Sequence, residues 1–232
     1  FWMESGLGVV SLASMLELET VPVFTLAERN RSRVELQGSW MVASNVRVDL
    51  RWDWLSDTYP SGDDQSGAGD LRLSTVGELW ADDASALRAG WQVKLPNAAD
   101  EGEIGTDETD AWLWLQGEHS VGAWTFWVVG GVGILGDPTR YTAQDDVPLG
   151  ALGLKYQRPD ASVWAPALRL ATIGAMETSR NPARARTDLG LEWGTCTFAR
   201  VEGGLGWTAA SPKQTLGLRI GHRWGCLSTV GD

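Results

Sequence analysis

Between Val46 and Leu55 the side chains divide by parity. Val46, Val48, Leu50, Trp52 and Trp54 take one face, and Arg47, Asp49, Arg51 and Asp53 the other. A period of two belongs to a half-apolar β-strand and excludes a helix. The same division recurs along the chain. Val34, Leu36, Trp40 and Val42 oppose Arg33, Glu35, Gln37 and Ser39, and Leu71, Leu73 and Leu79 oppose Asp70, Arg72, Ser74 and Glu78. Leu87, Ala89, Trp91, Val93 and Leu95 oppose Arg88, Gln92 and Lys94. Further on, Leu189, Leu191 and Trp193 oppose Asp188 and Glu192, and Val201, Leu205 and Trp207 oppose Arg200 and Glu202. Finally, Leu216, Leu218, Ile220 and Trp224 oppose Thr215, Arg219 and Arg223.

The connections alternate too. Short turns fall at Ser44-Asn45, Asp82 to Ser85, His119 to Gly122, Arg158 to Asp160 and Thr195 to Thr197. Longer polar segments lie between them at Glu28 to Arg31, Asp57 to Gly67, Asn97 to Asp107, Asp137 to Asp145, Glu177 to Pro182 and Ala209 to Pro212. With a first strand from Leu16 to Ala27, this predicts an all-β fold. It is a transmembrane outer-membrane antiparallel β-barrel of about 12 strands, with short periplasmic turns and longer extracellular loops. Sharing 232 residues among the strands leaves room for the roughly 9–11 tilted residues that cross a bilayer. Residues 15–225 form the barrel, 1–14 a periplasmic or luminal tail, and 226–232 a C-terminal tail. The chain opens on Phe1 without a basic leader, which reads as an exported chain whose signal peptide has been removed.

A soluble sandwich or lipocalin-like barrel would also alternate, but its apolar face would have to be the interior. Here that face carries much of the chain's 14 Trp, and these gather toward strand ends. Trp40, Trp124, Trp164, Trp193 and Trp224 fall by the short turns, and Trp52, Trp54 and Trp207 toward the long loops. Two aromatic girdles are what a pair of membrane interfaces selects. The formal charge of −11 argues against nucleic acid, whose phosphates call for clustered Lys and Arg.

If the polar parity faces inward, it collects a charge ladder. Its main members are Arg47, Asp49, Arg51, Asp53, Arg72, Glu78, Arg88, Lys94, Glu192, Arg200, Glu202, Arg219 and Arg223. The wider lumen is close to charge-balanced and leaves the net acidity to the rims. Turn register sets Glu78 opposite Arg88, Glu192 opposite Arg200, and Glu202 near Arg219, so that opposite charges pair across strands. Such ladders either fill and stiffen a narrow barrel or line a hydrated conduit. Trp112, Trp114 and Trp127 share the inward parity, with Trp114 expected across from Trp127. That cluster would bind an apolar or aromatic ligand or constrict the pore, unless a β-bulge returns it to lipid.

The two cysteines, Cys196 in the last short turn and Cys226 just past Trp224, are expected as a disulfide on the periplasmic rim, with two free thiols as the alternative. His119 and His222 both fall on the periplasmic rim without a converging Ser and Asp, so no catalytic constellation is expected. The acidic loop Ala99 to Asp110 lacks EF-hand spacing and reads as a solvated loop. Neither a metal nor another cofactor is expected.

The stretch YPSGDDQSGAGDLRLSTVGELW and the segment ALRAGWQVKLPNAADEGEIGTDETDAWLWLQGEHSVGAWTFWVVGGVGILGDP carry a family likeness over roughly residues 55–138. Gly69-Asp70-Leu71 opens a strand after a loop, and Val93-Lys94-Leu95-Pro96 closes one before a polar loop. These features resemble the meta-pathway phenol-degradation family of outer-membrane proteins, grouped with long-chain fatty-acid transporter-like β-barrels. At the strand end where that family has Pro-Thr-Gly or Pro-Ser-Gly, this chain has Pro96-Asn97-Ala98. The resemblance implies uptake of small hydrophobic or aromatic compounds and brings no catalytic residues. The expected function is therefore a porin-like channel or transporter for small solutes in the outer membrane of a Gram-negative-type envelope. The alternative is a structural barrel whose salt bridges fill the lumen and which docks a protein partner in the envelope. Lipid is a partner on either reading.

Overall fold

The computed structural model describes residues 8–19, 29–58, 62, 64–96, 109–136, 145–157, 166–177, 183–194, 196–209, 211 and 213–224. Alternating apolar and polar residues build thirteen strand segments among them. These are β1 (Gly8–Glu19), β2 (Arg29–Ala43), β3 (Val46–Thr58), β4 (Gln65–Ala68), β5 (Leu71–Ala81), β6 (Ser85–Leu95) and β7 (Asp110–Val121). The series continues with β8 (Trp124–Leu135), β9 (Asp145–Tyr156), β10 (Ala167–Ala175), β11 (Arg184–Trp193), β12 (Thr197–Gly206) and β13 (Gln214–Trp224). All pairings are antiparallel, mostly between chain neighbours, and β1 pairs with both β2 and β13, which closes the ring.

β4 and β5 both pair with β3 and act as one stave, broken at Gly69-Asp70, so the barrel has twelve staves. At the break the Gly69 N–H donates to the Asp53 carbonyl at 2.7 Å. Composed once around the ring, the registers return to β1 displaced by 14 residues. That stagger across twelve strands tilts them by about 40° to the barrel axis.

Burial is inverted relative to a soluble protein. Leu36, Leu115, Val128, Leu152, Leu189, Leu205, Leu216 and Ile220 are exposed, while Asp49, Asp53, Lys94, Glu192, Arg200 and Arg219 are buried. The apolar face points outward and the polar face into the barrel, the arrangement a lipid solvent stabilises. Trp40, Trp80 and Trp124 stand exposed near the short-turn rim, and Trp54 and Trp207 near the long-loop rim. Trp124 packs on its cross-strand partner Tyr156 at 4.6 Å between ring centroids.

Two expectations shift. The first strand is Gly8–Glu19, not Leu16 to Ala27, because its positions from Gly8 onward pair with β13 on one side and β2 on the other. The connection expected as a short turn at Arg158 to Asp160 is longer, since β9 ends at Tyr156 and β10 begins at Ala167. Trp164 lies within it, outside the described residues, and the side chain of Trp224 is likewise not described.

Candidate functional site: a two-faced lumen

The polar parity of β2, β3 and β5 and of β10–β13 delivers charged side chains inward. Arg200 is fully buried, and its Nε donates to Glu192 Oε2 at 2.8 Å. Glu192 also accepts from Arg169 Nη2 at 3.1 Å. Asp53, fully buried, accepts from Arg72 Nη1 at 2.9 Å and lies 3.5 Å from Arg33 Nε. Lys94 lies between Asp70 and Asp110, and Arg88 between Glu78 and Glu118. Arg47 pairs with Asp49 at 3.0 Å, and Arg51 takes its place in the same inward row of β3. Apart from Arg47 and Asp49, two residues apart on β3, directly opposite or diagonal cross-strand neighbours make these contacts, the geometry that stabilises paired charges on a sheet face.

Of the expected opposite pairs, the structure sets Glu78 against Arg88 and Glu192 against Arg200. Glu202 and Arg219 are diagonal and not directly opposite. Glu202 faces Gly217, and Arg219 faces Arg200. The β12–β13 hairpin folds one residue earlier than expected, with the Gly206 N–H donating to the Lys213 carbonyl at 3.1 Å, and a hairpin displaced by one residue moves the pairing by two. Arg219 instead reaches β2, where its Nη2 donates to Glu35 at 2.9 Å and its Nη1 to Gln37 at 2.8 Å. Sequence reasoning missed this contact, because it needs the ring to close. The side chain of Arg223 lies outside the described residues.

β7 and β8 also carry an apolar cluster inward, between Asp110 and Glu118 of β7. Trp114, Val76, Val129 and Ala151 form a buried cluster, with Trp112, Trp127 and Ile173 packed against it. Trp114 does not face Trp127. Trp114 lies opposite Gly131, and Trp127 opposite Glu118. The cause is a two-residue turn at Gly122-Ala123, with Gly122 at φ +57°, so β7 runs on to Val121 before the chain reverses.

Each of the three rings rests on a glycine directly across a strand pairing. Trp114 covers Gly90, Trp112 covers Gly133, and Trp127 covers Gly153. A Cβ added at any of these glycines would collide with the indole above it. The rings therefore lie along the wall instead of spanning the barrel, and no bulge returns them to the outer face. They form a stripe on β7 and β8, with Trp112 toward the long-loop rim and Trp127 toward the short-turn rim.

Cys196 stands in the β11–β12 connection, and among the described residues no cysteine is free. Cys226 lies outside the described residues. Both histidines are exposed near the short-turn rim. His119 belongs to β7 itself and not to a turn. The described residues hold no group of His, Cys, Asp and Glu able to bind a metal, while most of the acidic loop 99–110 lies outside them.

No family model matches the chain, and neither does any curated protein. Solved structures do. An outer-membrane channel from Pseudomonas putida F1 is similar over 95% of this chain and 96% of its own, with a TM-score of 0.74 at 14% identity. The KdgM porin is similar over 93% and 99%, with a TM-score of 0.61 at 8% identity. The NanC porin is similar over 91% and 97%, with a TM-score of 0.58 at 10% identity.

Proposed function

The fold is that of outer-membrane β-barrels, and on that premise we propose that the protein is an outer-membrane channel for small solutes, hydrophobic or aromatic ones among them. The carrying observation is the tryptophan stripe held against the wall by Gly90, Gly133 and Gly153. An indole flat on a glycine presents its other face inward without crossing the lumen, and such a face attracts planar apolar groups. Ion pairs on β2, β3, β5 and β10–β13, and those of Arg88 and Lys94 beside the stripe, supply polarity, so the lumen is amphipathic. The short-turn rim is periplasmic and the long-loop rim extracellular on this reading. The resemblance to the phenol-degradation family supports the same solute class. One similar structure is that of the KdgM porin in complex with disordered oligogalacturonate.

Complete burial of Arg200, Asp53 and Asp57 favours the second reading, a barrel filled by its own ion pairs that docks an envelope protein. Single-channel recording in planar bilayers separates the two. Discrete conductance steps, together with faster flux of benzoate than of cyclohexanecarboxylate into proteoliposomes, support the channel. A monomer that inserts but never conducts overturns it.

A further inference from the structure

Arg51 and Arg72 stand directly opposite each other on the luminal faces of β3 and β5. Like charges in that position repel, and the sheet is stable only where carboxylates offset them. Arg72 has such a partner, donating to Asp53 at 2.9 Å. Arg51 has none. Among the described residues it makes no hydrogen bond and no ion pair, and its Nε is buried without an acceptor. The carboxylates around it are engaged elsewhere. Asp49 holds Arg47 at 3.0 Å, Asp53 serves Arg72 and Arg33 together, and Glu35 takes Arg219 at 2.9 Å. Glu35 and Asp49 act on Arg51 only through space, as do the repelling Arg72 and Arg219. Gln37, opposite Arg51 on β2, gives its side-chain carbonyl to Arg219. Arg51 is partly exposed, so solvent reaches it from the lumen.

We propose that Arg51, with Arg72 facing it, binds the carboxylate of an aromatic acid. This rests on the channel reading for its solute class and narrows it, since the cargo is then the anion of the acid and not a neutral compound. A guanidinium donates to a carboxylate through two parallel N–H groups, a charge-assisted contact stronger than a neutral one. A carboxylate between Arg51 and Arg72 also removes their repulsion. The aromatic end has a surface to lie against. From Arg72 the wall leads across β6, where Lys94 is opposite Arg72 and Gln92 is opposite Trp112. The tryptophan stripe on β7 is thus two strand spacings away, roughly 10 Å. Lys94 between them is held by Asp70 and Asp110 and does not compete for the anion. A planar ring directed along this path meets the open face of an indole.

Protein in an uncharged maltoside micelle is titrated with benzoate, with the neutral isostere benzamide and with acetate, and binding is read by ligand-observed NMR against empty micelles. Benzoate should bind saturably and at least tenfold more tightly than benzamide or acetate. Arg51→Gln should weaken benzoate at least tenfold and leave benzamide unchanged. Because that variant relieves the repulsion with Arg72, its unfolding midpoint in urea should equal or exceed that of the wild type. Equal affinity for benzoate and benzamide overturns the proposal, as does undiminished benzoate binding in Arg51→Gln. Acetate that binds as tightly as benzoate assigns the site to anions in general and overturns the aromatic acid. A lower midpoint, or failure to fold, makes Arg51 a structural counter-charge for Glu35 and Asp49 and overturns it too. None of these readouts needs an open pore. A barrel that binds benzoate and never conducts loses the channel and keeps the site, whereas one that conducts without binding benzoate keeps the channel and loses the site.

Discussion

Trp127 lies flat against Gly153, the residue directly across from it on β9. A methyl group at position 153 would occupy the space of the indole, so the ring would have to swing off the wall into the lumen. Gly153→Ala is expected to cost about 1–3 kcal/mol, the range for overpacking, measured by urea unfolding in micelles. It should also lower single-channel conductance. Trp127→Ala, in contrast, should leave conductance near its original value and reduce the preference for aromatic solutes. A large rise in conductance would instead identify the ring as a constriction.

Glu192 compensates Arg200 and Arg169 together, and all three are buried. Glu192→Gln leaves a buried guanidinium short of its counter-charge, which costs about 3–5 kcal/mol where water does not enter. The temperature at which the heat-modifiable gel band shifts should fall accordingly. A loss below about 1 kcal/mol would show that the pair is hydrated.

Arg88 makes two ion pairs of similar length, yet it and its partners Glu78 and Glu118 are 21%, 37% and 31% exposed at the side chain. Solvent screens such pairs, so Arg88→Gln should change stability by less than about 1 kcal/mol. The same unfolding assay ranks it against Glu192→Gln, and the two should differ severalfold.

Asp53 is fully buried, and a Cβ at Gly69 would collide with its carboxylate, displacing it from Arg33 and Arg72. Gly69→Ala should therefore weaken the break between β4 and β5 and destabilise the barrel by about 1–3 kcal/mol. Protease cleavage between residues 59 and 70 in intact proteoliposomes should become faster.

We propose that Cys196 pairs with Cys226 and fastens the β11–β12 connection to the segment after β13. Alkylation followed by mass measurement, with and without reduction, should show two added groups only after reduction. Cys226→Ser should lower the unfolding midpoint by an amount corresponding to about 2–4 kcal/mol. Two groups added before reduction would disprove the crosslink.

Alternation between Val46 and Leu55, and its recurrence in strands ending at Trp193, Trp207 and Trp224, determined the fold class, the strand count and which residues face inward. Lipid outside and polar groups inside impose a period of two that local sequence records directly. Register across tight turns was legible as well, because a two-residue reversal such as Ser44-Asn45 leaves little freedom. Where the turn itself was misplaced, as at Gly122, the partner of Trp114 moved by four positions. Arg219 shows what the sequence could not decide. Its carboxylate partner, Glu35, is 184 residues away. The two meet because β1 enters between β13 and β2, with Ala13 paired to both. Ring closure and stagger are properties of all the strands together, so no local pattern encodes them. The same closure brings the inward rows of β13 and β2 within reach of each other across β1.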